Sequence, residues 1–588
     1  MKKLFVNGMG GYAFLVVFPL FFLACDRSFA AAPDPARNIQ ERAAEMNEQR
    51  LRQLEEEQRR SLLTPPPEER PVEPSPAPAP DTGPCVHINS FRIEGVTLLS
   101  RRTLEKITAP RENTCLSLSG INGLLQEITN AYVEKGYITS RALLEPQDLS
   151  TGVLRIRVVE GRVESIGPDE SSTMNPRQFL TIFPFVKGSV LNLRDIEQGL
   201  DQLNRLPSNR AAMRVEPGSA PGTSRVLISN VQERTWRPYI GYDNLGQDVT
   251  GRTQYTLGLE KDNFIGCNDQ VAVYYTGAMP QSYGPNNDET EGFSESLTGL
   301  FSLPFGYWLL SGSASTFSYS TQLLGVNQSY TSKGTTVAAR MALDRVVWRD
   351  ADSKLSLGVF YQYRDVDNYI EDARLLASSY RLSSGGFALV YTRRLLGGVF
   401  SLSLEQAWGM PSMSEGIPFD SDSSAPKTNF SKSSGSLYWY YPFELFQQNF
   451  SWTLSARGQR ADVTLYGSER LYLGGMYSVR GFENSVLGGD QGGYVRNEIA
   501  WNVPQNWIAF DKSPVHNVQL FGAYDVGVIA RDSADPYERG HVSGMALGVR
   551  TTGPLTFELA YAHPLETPSF VRESEKHDVW YLSVKYTF

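Results

Sequence analysis

Val579-Trp580-Tyr581-Leu582-Ser583-Val584-Lys585-Tyr586-Thr587-Phe588 is the stretch whose reading decides the fold. Trp580, Leu582, Val584, Tyr586 and Phe588 fall on one face of a strand, and Tyr581, Ser583, Lys585 and Thr587 on the other. Successive strand side chains point to opposite faces, so one face is apolar and the other polar. The same period returns upstream. Leu555, Phe557, Leu559 and Tyr561 oppose Thr556, Glu558, Ala560 and Ala562, and Val495, Ile499, Trp501 and Val503 oppose Arg496, Glu498 and Asn502. An apolar outside facing lipid and a polar lumen require this repeat. A soluble β-sandwich also alternates, but its inward face rarely carries as many glycines or its outward face as few charges.

From Trp236 to Phe588 about sixteen such segments can be counted, starting near 236, 251, 268, 291, 306, 333, 352, 383, 397, 431, 448, 491, 516, 541, 555 and 578. Turns rich in Gly, Asn, Asp and Ser separate them. An even count suits a single-chain bacterial barrel and returns both strand ends to the periplasmic side. The expected fold class is a transmembrane β-barrel of 16 antiparallel strands over residues 234–588.

Working outward, the chain has 588 residues, room for several domains of about 150 residues each. Its net charge of -9 argues against a nucleic-acid partner, which calls for a basic patch. Five scattered His and no close Cys/His cluster argue against a metal site. No phosphate-binding Gly-rich loop, H-E-x-x-H or G-x-S-x-G is present, so neither an enzyme nor a cofactor is expected.

Residues 1–30 read as a secretory signal: Lys2 and Lys3, an apolar run from Tyr12 to Cys25, then Ser28-Phe29-Ala30 as a cleavage pattern. Leu23-Ala24-Cys25 suggests a lipoprotein signal instead, but Phe22 fits that pattern poorly. No other stretch approaches the roughly 20 apolar residues of a membrane helix. Within 31–63, residues 34–63 form a charged helix candidate whose apolar positions (Ile39, Met46, Leu51, Leu54) are too sparse for a core-facing stripe. A helix polar all round sits in water or in a water-filled cavity; a solvated disordered tail fits these residues equally well. As a helix, about 28 residues reach roughly 40 Å, comparable with a bilayer and its headgroups. Residues 64–83 are a linker, with eight prolines between Pro65 and Pro80 favouring a semi-rigid extended spacer.

Residues 84–233 read as two small α+β domains, 84–163 and 164–233. The first has a strand at Phe91-Arg92-Ile93-Glu94 and a helix with Ile121, Leu124, Leu125, Ile128 and Tyr132 on one face, ended by Gly136. A strand follows with Leu154, Ile156 and Val158 alternating. The second repeats the scheme: Asn192 as N-cap, Leu193, Ile196, Leu200 and Leu203 on one face, closure at Pro207, and a strand at Val226-Leu227-Ile228. Cys85 and Cys115, 30 positions apart in the first domain, are expected to pair in an oxidising periplasm, leaving Cys267 free.

Signal, helix, proline linker, two POTRA-type domains and a sixteen-strand barrel ending in Phe588 resemble the TpsB transporters of two-partner secretion. The resemblance covers essentially the whole mature chain and is closest to the branch that exports haemolysins, adhesins and contact-dependent growth-inhibition toxins. It is sharpened by Val479-Arg480-Gly481-Phe482, in a long loop between the eleventh and twelfth segments, and by Asp525-Val526-Gly527 on the thirteenth. Val518, Leu520, Tyr524, Val526 and Val528 take the lipid face of that segment, so Asp525 faces the lumen with Gln519, Ala523 and Gly527. Ala523 stands where the family usually has Phe or Gly. The resemblance implies that loop 470–489 folds into the lumen and that Asp525 anchors Arg480. It also implies that the N-terminal helix plugs the resting pore and that Phe588 serves as an assembly signal for the barrel assembly machinery. The POTRA pair would bind a large secreted TpsA-type exoprotein, with outer-membrane lipid around the barrel.

A runner-up reading is an outer-membrane protein assembly factor of the same superfamily; those as a rule carry more POTRA domains and lack the helix and its linker. A third, a receptor-type pore, needs a larger barrel than about 350 residues provide.

Overall fold

The computed structural model describes residues 49–55, 84–184, 187–247, 250–279, 281–282, 291–324, 328–417, 425–504, 514–531, 539–571 and 576–588. The signal 1–30, the linker 64–83 and all of the helix candidate except 49–55 lie outside them. Among the described residues no helix is long and apolar enough to cross a membrane.

In the first small domain, Ser90–Glu94 runs parallel to Val153–Val159, which pairs antiparallel with Arg141–Leu144. Helices α1 (Arg101–Thr108) and α2 (Leu118–Glu134) belong to the same domain. Ile121, Leu124, Ile128 and Tyr132 of α2 are buried with Leu154, Ile156 and Val158 of the central strand. Ser117 caps α2 by accepting from the Gly120 N–H, and Gly136 sits just beyond its end at φ +92°. Cys85–Ile88 pairs with Thr114–Ser117, and Cys85 is disulfide-bonded to Cys115 across that pair. Opening a loop of this length costs about 3–4 kcal/mol in the chain-entropy account. Replacing both cysteines with Ser is expected to lower this domain's unfolding free energy by about that amount, read as a lower urea midpoint at unchanged slope, while the barrel stays folded; an unchanged midpoint would show the bond to be dispensable.

The second domain repeats the order, with Thr223–Asn230 between a parallel partner, Arg162–Pro168, and an antiparallel one, Ala211–Pro217. Its first strand begins at Arg162, two residues before the boundary read from the sequence. Helix α3 (Pro176–Ile182) opens with a capping box between Asn175 and Gln178. Helix α4 (Leu193–Asn204) is capped by the Asn192 side chain and ends three residues before Pro207.

The remaining chain forms one closed antiparallel barrel. Two of its segments are two-residue extensions, Gln281–Ser282 and Ala373–Arg374; the other sixteen are the barrel strands. They are β1 (Trp236–Asp243), β2 (Gln254–Asp262), β3 (Gln270–Ala278), β4 (Glu291–Phe305), β5 (Trp308–Leu324), β6 (Ser329–Arg349), β7 (Ser353–Ile370), β8 (Tyr380–Leu395), β9 (Gly398–Gly409), β10 (Ser431–Leu445), β11 (Gln448–Ala461), β12 (Gln491–Asn502), β13 (Asn517–Arg531), β14 (Gly540–Thr552), β15 (Leu555–Glu566) and β16 (Val579–Thr587). β16 closes on β1 with Ser583 opposite Asp243 and Thr587 opposite Tyr239. Closure leaves no unpaired sheet edge, the condition for strands to cross a bilayer. Trp580 is 53% exposed and its neighbour Tyr581 4%, so the alternation read from the last strand is the outside and inside of the barrel.

The second domain is seated on the periplasmic mouth through charge. Asp201 of α4 pairs with Arg349 at the end of β6 and with Lys354 of β7 at 3.1 Å. Arg205 reaches Ser302 and the Asn268 carbonyl, and Asp262 accepts from the Ser208 N–H at 3.0 Å. A buried charge is stable only when paired, so this seat has a fixed register.

Candidate functional site: a loop held inside the barrel

Strand parity builds one wall of the site. On β12, Arg496 and Glu498 face inward; on β13, Asp525 lies opposite Arg496, with Gly544 of β14 on its other side. Asp525 is fully buried, while Leu520 and Tyr524 on the same strand are about half exposed on the lipid side. Into this wall comes the chain between β11 and β12. It folds as a small hairpin, Leu471–Leu473 against Leu487–Gly489, with the Val479–Phe482 motif at its tip.

Arg480 is 1% exposed and among the largest fully buried side chains. Its Nε donates to Asp525 Oδ2 at 2.6 Å and Nη2 to Oδ1 at 2.9 Å, a bidentate fork, while its backbone N–H donates to Oδ2 at 3.1 Å. The remaining nitrogen, Nη1, donates to Glu498 at 2.7 Å. Glu498 also pairs with Arg550, and Arg496 lies 3.8 Å from Asp525. Three guanidiniums are thus held by two carboxylates, with Glu558 opposite Arg550 on β15. Such forked, charge-assisted contacts fix direction as well as distance.

The rest of the motif is packing. Val479 and Phe482 are fully buried in a cluster with Leu471, Leu473, Leu487, Ile529 and Val542. Gly481 has φ +110°, and a Cβ there would lie 2.8 Å from the His563 carbonyl oxygen. An L side chain is therefore excluded twice, by conformation and by space. Tyr581 of β16 donates to the Phe482 carbonyl at 2.6 Å and accepts from the Gly481 N–H at 3.3 Å. A Cβ on Gly527 would touch Leu473 and Val479 at 3.0 Å, and one on Gly544 would collide with the Arg480 carbonyl at 1.9 Å. The structure thus brings together Val479, Arg480, Gly481, Phe482, Asp525 and Gly527. Phe588 lies apart, 58% exposed, with its N–H donating to the Pro238 carbonyl at 2.9 Å.

Glu498, Arg496, Arg550, Tyr581 and Gly544 complete the site without having been singled out from the sequence. Parity places Arg496, Glu498 and Tyr581 on lumen faces, but nothing in the local pattern says which of many lumen residues the loop touches.

A second layer joins the loop to residues 49–55, which are helical and lie within the barrel. Arg50 donates to Asp243 at 2.9 Å and to Gln254 at 2.9 Å. Arg52 donates to the Ser468 carbonyl at 2.7 Å, Gln49 to Ser485 at 3.2 Å, and Glu55 bonds Ser313 of β5. At the loop's base Glu469 pairs with Arg364 at 2.9 Å and with Lys432. Among the described residues no group of His, Cys, Asp and Glu could hold a metal ion.

Residues 222–551 match the family model described as haemolysin secretion/activation protein ShlB/FhaC/HecB. Residues 86–161 match the ShlB-type POTRA domain and 162–217 a further POTRA domain. The outer membrane transporter CdiB of Escherichia coli is 32% identical over 97% of this chain and 94% of that protein. The hemolysin transporter protein ShlB of Serratia marcescens is 32% identical over 73% of this chain and 74% of that protein. The solved structure of CdiB from Escherichia coli superposes with a TM-score of 0.83 at 31% identity, covering 95% of this chain and all of that one. The chain belongs to the ShlB/FhaC/HecB family of haemolysin secretion/activation proteins, the outer-membrane transporters of two-partner secretion.

Proposed function

We propose that the periplasmic POTRA pair recognises one large exported protein of the adhesin, haemolysin or growth-inhibition toxin type and passes it through this barrel. The observation that carries the reading is a polar lumen occupied by the hairpin 470–489 and the helical residues 49–55, both bonded to the barrel wall through charged side chains. Relatives named as transporters favour export over membrane-protein assembly. Recognition at a POTRA sheet edge suits an extended segment of the partner, because Ser90–Glu94, Arg141–Leu144, Arg162–Pro168 and Ala211–Pro217 are the edge strands of their three-stranded sheets. Phe588 is the residue the barrel assembly machinery would read. The test is to sequence the adjacent genes for one that encodes a very large exported β-rich protein and to follow its secretion. It should reach the medium or cell surface only when this chain is present; secretion in its absence would contradict the reading.

The helix is the resting plug. Removing residues 34–63 is expected to raise planar-bilayer conductance while export continues, since the POTRA pair and the Arg480–Asp525 fork are untouched. Unchanged conductance would show that the segment does not occlude the pore.

A further inference from the structure

The turn between β2 and β3, residues Asn263–Asp269, is built inside out. Its polar groups turn inward: Asp269 accepts from the Ile265 N–H at 3.1 Å and the Cys267 N–H at 3.2 Å. Asn263 accepts from the Asn268 N–H at 3.0 Å. Asn268 and Asp269 are buried, whereas Phe264 is 60% and Ile265 55% exposed. Turns in water normally present their polar residues and tuck apolar ones away. Here two side chains, Asn263 and Asp269, and a glycine with φ +82° fix a loop that presents a pair of large apolar residues outward.

Position tells what covers them. Lys261 and Asp262 end β2, and Lys261 lies opposite Trp236 in the register, its ammonium 4.9 Å from the indole centroid. Trp236, Phe305, Trp308 and Trp348 are exposed at the same periplasmic ends of their strands, with Arg345 5.1 Å over Trp308. Exposed aromatics with basic partners mark the bilayer–water interface. Above them on β2 the lipid face continues through Leu259 and Leu257, both more than two-fifths exposed. Phe264 and Ile265 follow Lys261 by three and four residues, so they adjoin this belt.

The inner side of the same turn holds POTRA 2. Asn268 Nδ2 donates to the Gln178 carbonyl at 3.0 Å and to Thr181 Oγ1 at 3.1 Å, and Gln178 Nε2 donates back to Asn268 at 3.2 Å. Helix α3 is therefore bonded to the turn, and its own Leu180 is 66% exposed.

We propose that Phe264 and Ile265 insert into the periplasmic leaflet of the outer membrane, making this turn a lipid anchor that fixes POTRA 2 relative to the bilayer as well as to the barrel. Interfacial insertion of two such side chains suits a phospholipid leaflet, where apolar groups rest at the headgroup boundary. A protein partner would instead need a bounded surface around them.

The test uses the full mature chain in vesicles of phosphatidylethanolamine and phosphatidylglycerol. In a Cys267→Ser background, which sets the labelling blank, Ile265→Cys carries an environment-sensitive fluorophore. Phe264→Cys gives an independent reading, and Arg102→Cys on POTRA 1 is the water-exposed reference. Heat-modifiability confirms a folded barrel in each. With iodide on both sides of the bilayer, the labels at 264 and 265 are expected to be quenched severalfold less than that at 102, and to be quenched by shallow lipid-borne nitroxides. Iodide quenching equal to the reference would overturn the anchor. So would protection that appears only when the exported partner is added, or that follows the protein-to-lipid ratio as contact between copies of the chain would.

Discussion

Arg480→Ala and Asp525→Ala should each cut export of the partner protein at least about tenfold while leaving near-normal amounts of heat-modifiable, membrane-inserted barrel. The reason is where the pair acts. Arg480 joins the loop to one wall, and the sixteen strands are held by their own backbone ladders. Removing one member of a buried pair leaves an uncompensated charge, at a cost of about 3–5 kcal/mol. At about 1.4 kcal/mol per decade, that shifts the loop's position equilibrium by more than a hundredfold. Arg480→Lys is not a mild change, since one ammonium cannot replace a fork that spans Asp525 and Glu498. Glu498→Gln should do less, because Asp525 retains both of its guanidinium contacts and the backbone N–H. Exchanging the charges, Arg480→Asp with Asp525→Arg, should restore part of the activity if proximity is what matters. Normal export by both single mutants would remove the loop from the mechanism.

Deleting residues 84–233 should abolish both partner capture in a periplasmic pull-down and export. The barrel itself should survive. Arg349 and Lys354 lose Asp201, but they lie at the mouth, where water replaces the carboxylate once the domain is gone. A truncated chain that still captured the partner would move recognition to the barrel.

Much of this architecture is legible in the sequence because a membrane barrel has only two environments. Each strand residue faces lipid or lumen, so Trp580 against Tyr581 and Tyr524 against Asp525 sort correctly by parity alone. The helices α2 and α4 are equally legible, from apolar spacing and, at α4, from the Asn192 cap. Two kinds of feature are not. Short elements such as α1 and α3 carry too few apolar positions to show a period. Buried polar surfaces also look like solvated ones: Gln198, Asp201 and Gln202 lie off the apolar face of α4 and Arg205 just past its end, yet all four are buried. The same limit hid Glu498 and Arg550. A lumen charge can be placed on its face by parity, but its partner on a long inward loop is set by tertiary folding. Arg480 is marked by its resemblance to a family motif, not by any local pattern.

Transit of the partner through the lumen is tested most directly by photo-crosslinking a stalled export intermediate. A photoreactive residue placed at Ser434 or Gln459, both on the lumen wall, should capture the partner, and one at lipid-facing Leu404 should not. Capture at Leu404 with none at the two lumen positions would contradict passage through the barrel.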